Sequence, residues 1–117
     1  MHGELNIHFV WVFFLRSEIR RGENMLPNKL KVAGIDYQIQ EVEEIDDDPS
    51  MMGCYIYAKS IIKIKSNMSG DKKEQTLVHE MLHACFNEAG FDEQDEDVVN
   101  RVGIVLYQVL KDNQLSF

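Results

Sequence analysis

The chain is 117 residues long, enough for one modest core and not for two. Apolar residues make up 44% and charged residues 27%, the balance of an ordinary globular domain, and the formal net charge is -8. That acidity argues against sequence-independent nucleic-acid binding and against adsorption to anionic membranes, both of which rest on Lys and Arg.

The first 24 residues differ in character from the rest. Residues 5–15, LNIHFVWVFFL, are the most apolar run of the chain, too short to span a bilayer and lacking the preceding basic residues of a secretory signal. Arg20-Arg21-Gly22-Glu23 can be encoded by a purine-rich stretch like a bacterial ribosome-binding site, a short spacer ahead of the Met25 codon. The expectation is that residues 1–24 are an upstream extension, with a buried N-terminal strand or a disordered or loosely packed segment as the alternatives, and that 25–117 form the domain.

From Lys29 to Glu43, alternating apolar positions broken at Ala33-Gly34 predict a β-hairpin. EIDDDPS (44–50) is an acidic loop without EF-hand spacing, hence solvated turn chemistry rather than a calcium site. GCYIYA (53–58) and IIKIK (61–65) predict a second hairpin across Lys59-Ser60. SNMSGD (66–71) is a turn in which Ser69 or Asp71 can cap the next helix. Residues 72–89 carry Leu77, Val78, Met81, Leu82, Cys85 and Phe86 at helical spacing, and Gly90 closes the helix. After the acidic connection FDEQD a second helix runs over 95–111. Strands first and helices after predict an α+β domain, a small antiparallel sheet of two hairpins with two helices packed on it.

The first helix contains LVHEMLHA (77–84). His79 and His83, four residues apart, project from one helical face, a separation that lets two imidazoles hold one zinc ion. Glu80, one position along, is placed to take a proton from a metal-activated water as it attacks a peptide carbonyl. These are the roles of the HExxH motif, which also arises by accident in on the order of one chain in a few hundred. The helical setting and the uncharged neighbours Val78, Met81, Leu82 and Ala84 favour the metal over coincidence, since buried polar groups need partners.

A catalytic zinc commonly has three protein ligands. The metzincin pattern is excluded, because Phe86 and Ala89 stand where it needs glycine and histidine. Carboxylates around the turn remain: Glu88, Asp92, Glu93, Asp95, Glu96 and Asp97. Asp97 shares a stripe with Arg101 and Gln108 that reads as solvent-facing, and Asp95 is equally an N-cap. Glu96 lies on the stripe of Asn100, Gly103 and Tyr107, and a glycine inside a helix suggests close approach of a second one. Glu96 is therefore the expected third ligand and Asp95 the alternative. Strictly antiparallel helices would leave Glu96 on the order of 10 Å along the axis from the histidines, so the assignment requires a steep crossing. The two cysteines, Cys54 and Cys85, form no CxxC pair, fit a reducing cytosol and read as core thiols. GCYIYA reads first as a plain core strand, and if it forms a sheet edge beside the metal it could pair with an extended peptide. Tyr107 and Arg101 are possible oxyanion partners that nothing in the sequence places near the metal.

From Ile35 to Asn113 the chain resembles small HExxH metallopeptidases related to the ImmA/IrrE proteins, common in phages and mobile elements of Gram-positive bacteria. The resemblance rests on IIKIKSNMS, QTLVHEMLHACFNEAG and DEDVVNRVGIVLYQVLKDN. It implies a zincin-like domain with His79 and His83 as zinc ligands, Glu80 as catalytic base and an acidic residue of DEDVV, Glu96 foremost, as third ligand. Together with the cysteine usage and the acidic charge, the expectation is a cytoplasmic endopeptidase acting on a protein or peptide, with no nucleic-acid or membrane partner. ImmA/IrrE relatives are associated with cleaving phage or stress repressors, but they usually have a longer connection between motif and third ligand, so that substrate is not carried over. The competing expectation is a non-enzymatic phage or mobile-element protein that keeps zinc as a structural staple and binds another protein.

Overall fold

The computed structural model describes residues 26–115 and 117, so the apolar run 5–15 and the expected extension 1–24 lie outside the described residues. Strand β1 (Lys29–Val32) turns into β2 (Ile35–Val42) through Ala33 and Gly34. Both turn residues have positive φ, 50° and 82°, the twist that a tight two-residue hairpin turn requires. β3 (Gly53–Ile56) and β4 (Ile61–Lys65) form the second antiparallel pair, joined by a 3-10 turn at Tyr57–Lys59 and by Ser60 at φ 53°.

The fold is α+β, and the sheet corrects one expectation: it is mixed, not antiparallel throughout. Its order is β1-β2-β4-β3, and β2 runs parallel to β4 with Ile39 opposite Ile62. The cause is which strand of the second hairpin docks on the first. β4 carries Ile62 and Ile64, both fully buried, and burying them needs a neighbour on each side. The connection 43–52 is long enough to carry the chain out to the far edge, so β3 becomes the edge strand and β4 returns inside it. Within that connection the buried Ile45 anchors the acidic turn, and the Asp48 carboxylate accepts from Ser50 N at 2.9 Å and Ser50 Oγ at 2.7 Å.

Helix α1 (Gly70–Glu88) begins at Ser69, whose hydroxyl accepts from Lys72 N at 3.3 Å, and ends at Gly90 with φ 98°. Helix α2 (Glu96–Asp112) is capped by Asp95, which accepts from Asp97 N at 2.9 Å. α1 lies on β1, β3 and β4, and α2 packs on α1. The core under α1 is built from Leu26, Val32, Tyr37, Ile62, Ile64, Leu77 and Ala84, with Cys85 against it. Burying one such branched aliphatic side chain stabilises by about 1.5–3 kcal/mol. The fully buried Tyr37 donates its hydroxyl to Glu88 at 2.8 Å, tying the sheet to the last turn of α1. No helix among the described residues is long and apolar enough to cross a membrane.

Candidate metal centre

Three side chains on two helices converge above the edge of the sheet. His79 and His83 rise from successive turns of α1, their ring centroids 4.9 Å apart and their planes 72° apart. Glu96, the first residue of α2, bridges them: one carboxylate oxygen lies 2.7 Å from His79 Nε2 and the other 3.0 Å from His83 Nε2. One donor atom from each residue falls within 4.8 Å of the other two, a span that one small ion can bridge. Two imidazoles and a carboxylate are an N/O donor set that suits zinc, as it also suits other divalent transition metals. The donor set and its convergence therefore fit a metal ion.

Asp95, the alternative third ligand, is occupied as the cap of α2, and Asp97 pairs with Arg101 at 3.6 Å on the exposed side. Tyr107 is drawn away to Glu74 and Lys111, so neither it nor Arg101 joins the centre. The reach of Glu96 comes with close contact between the helices. A Cβ on Gly103 would stand 3.7 Å from the backbone of His79, so α2 lies almost on the motif.

Glu80 lies beneath this cluster. It is only 8% exposed, and its carboxylate has no hydrogen-bond or ion-pair partner among the described residues. Burial pushes its carboxyl above the usual glutamate range; the imidazoles of His79 and His83 oppose that shift when charged, and Glu96 adds to it. Gly53 of β3 makes the seat. A Cβ there would meet Thr76 Cγ2 at 2.6 Å, Glu80 Cγ at 3.2 Å and Glu80 Oε2 at 3.3 Å, so only glycine lets the strand close on this side chain.

Two clefts meet at the centre and share Gly53, His79, Glu80 and Glu96. The larger, ≈ 430 Å³, runs between the helices past Lys72, Gln75, Asn100 and Ile104. The smaller, ≈ 310 Å³, runs along β3 past Met51, Cys54, Tyr55 and His83.

Three contributors carry no local sequence signal and were missed by the spacing argument. The Tyr55 ring stacks on His83 with centroids 5.3 Å apart and planes 8° apart. Asn87 donates its side-chain amide to the Tyr55 hydroxyl. Gln94, among the carboxylates of the connection, meets His83 Nδ1 at 2.7 Å. The sequence hint for Tyr55 is its place on GCYIYA, a strand that the sequence reads as a plain core strand or as an edge beside the metal.

Comparison of the chain with family models, with curated proteins and with solved structures yields no match.

Proposed function

We propose that the protein is a zinc-dependent endopeptidase in which His79, His83 and Glu96 hold the ion and Glu80 handles the proton. The observation that carries this reading is Glu80: a buried carboxylate with no hydrogen-bond or ion-pair partner among the described residues, beside three converging metal donors. Buried polar groups are normally paired, and titratable groups shifted by burial in a cleft concentrate at reactive centres. When bound, the ion supplies Lewis-acid polarisation of a carbonyl and lowers the pKa of water.

The chain's own residues do the rest. Glu80, held above the ordinary carboxylate range by burial, accepts the proton of the attacking water and returns it to the leaving nitrogen. The outer edge of β3 pairs with an extended peptide and lays it across the centre. The two clefts receive side chains on either side of the scissile bond, which favours cleavage within a chain over trimming of an end. The resemblance to ImmA/IrrE metallopeptidases belongs to the same proposal, and with it a phage-encoded enzyme in a bacterial cytosol.

The test pairs metal analysis with cleavage of an unbiased peptide mixture by the wild-type chain and by Glu80→Gln. The expected result is stoichiometric zinc in both and cleavage by the wild type alone. Absence of stoichiometric zinc removes the metal. Zinc without cleavage leaves it as a staple between α1 and α2, the role favoured by the origin of its ligands on two helices.

A further inference from the structure

Gln94 holds His83 by two atoms. Its side-chain oxygen lies 2.7 Å from His83 Nδ1, and its nitrogen donates to the His83 main-chain oxygen at 3.2 Å. A main-chain carbonyl can only accept, so the amide must present nitrogen to it; reversed, two acceptors would face each other. With the nitrogen fixed there, the Gln94 oxygen faces Nδ1, and Nδ1 must carry hydrogen. In a neutral imidazole that leaves Nε2 bare, and Nε2 is the atom that faces Glu96 at 3.0 Å. A bare Nε2 and a carboxylate oxygen at that distance need a positive charge between them, which either a metal ion or a second ring proton supplies.

The amide is itself held in place. Gln94 Nε2 also reaches the Tyr55 hydroxyl at 3.3 Å, and Asn87 donates to the same oxygen. Tyr55 thus stacks on the His83 ring with its face and receives both amides with its hydroxyl.

We propose that Gln94 is a positioning residue that fixes the ring plane and the Nε2-bare tautomer of His83 for a metal ion, with Tyr55 and Asn87 holding Gln94 in turn. The inference rests on the metal reading above and adds what makes one of the ligands ready. Partners on the far nitrogen of a ligating histidine raise metal affinity, and their loss costs about 10–100-fold. Here the partner is neutral, so the ring is oriented without a third carboxylate beside Glu80 and Glu96.

The experiment reads two quantities. Nitrogen-15 spectra of the imidazoles, recorded on the metal-free chain in mildly alkaline solution, report the tautomer of His83. Competition with a chromophoric chelator reports zinc affinity. The wild type is expected to show hydrogen on Nδ1. Gln94→Leu is expected to show a tautomer mixture and about 10–100-fold weaker zinc binding. Tyr55→Phe keeps the stacked ring and removes the hydroxyl, so it shifts both quantities in the same direction by less, and it stands in if the Gln94 variant does not fold. Hydrogen on Nε2 in the wild type, or an unchanged tautomer in both variants, overturns the proposal. The tautomer decides the role of Gln94 even if the wild type takes up no zinc, an outcome that fails the metal reading instead.

Discussion

Two polar clusters join the same pair of helices, and they differ in charge balance. Where the start of α1 meets the end of α2, Lys111 lies 2.8 Å from Asp71, 3.0 Å from Glu74 and 3.0 Å from the Tyr107 hydroxyl. That cluster brings its own cation, and hydrogen bonds from the ammonium to Asp71, Tyr107 and Glu74 hold Lys111 charged well beyond the ordinary lysine range. Around His79 and His83 the carboxylates are Glu80 and Glu96, and among the described residues no Lys or Arg ion pair reaches either. A cluster closed by its own side chains is a fastener. One whose donor atoms converge without such a cation has room for a positive charge from outside, the property on which the proposed metal reading rests.

The largest expected effect strikes the open cluster alone. Glu80→Gln should lower peptide hydrolysis by about 10²–10⁴-fold, the usual range for loss of a general base, with zinc content unchanged in metal analysis. Chelation comes next. Zinc at a hundred times its dissociation constant adds about 2.7 kcal/mol to a folded state that alone binds it, so a chelator should lower the melting temperature of the wild type and leave His83→Ala unmoved. A Lys111→Met chain should respond to the chelator as the wild type does; if it does not, the two clusters are not independent.

Gly53→Ala should cost about 1–3 kcal/mol in denaturant unfolding, because the added methyl meets Thr76 Cγ2 at 2.6 Å with strand and helix both fixed. The smallest effect belongs to the closed cluster. Lys111 is 44% exposed, so solvent screens its pairs and Lys111→Met should cost about 0.5–1 kcal/mol, less in high salt. The sign with pH follows from the raised folded-state pKa. The contribution is fully present below the ordinary lysine range and declines only as pH rises beyond it. The gap between the two melting curves should therefore stay level across neutral pH and narrow in strongly alkaline solution.

What could be read from the sequence follows how local its determinants are. Ser69, Gly90 and Asp95 mark helix ends through bonds to residues a few positions away, so expected spans of 72–89 and 95–111 meet observed ones of Gly70–Glu88 and Glu96–Asp112. The Ala33-Gly34 turn is equally local. The parallel pairing of β2 with β4 is not, because it depends on which edge of a finished hairpin meets another, and neither strand encodes its partner. The centre divides in the same way. His79 and His83 announce themselves by spacing on one helix. Gln94, Tyr55 and Gly53 take their places only when the connection, β3 and α1 are folded together, and as isolated letters they are ordinary loop and strand residues.

The two glycines that flank the motif leave unequal clearance. At Gly53 there is none. At Gly103 the nearest atom, 3.7 Å from a built Cβ, leaves room for one methyl. Glu80 thus lies on the side without clearance, and Glu96 belongs to the helix that meets the motif at ordinary van der Waals distance. An added methyl is therefore excluded where β3 closes on Glu80 and accommodated where α2 crosses His79, so substitutions at the two glycines grade how tightly each neighbour must approach the motif.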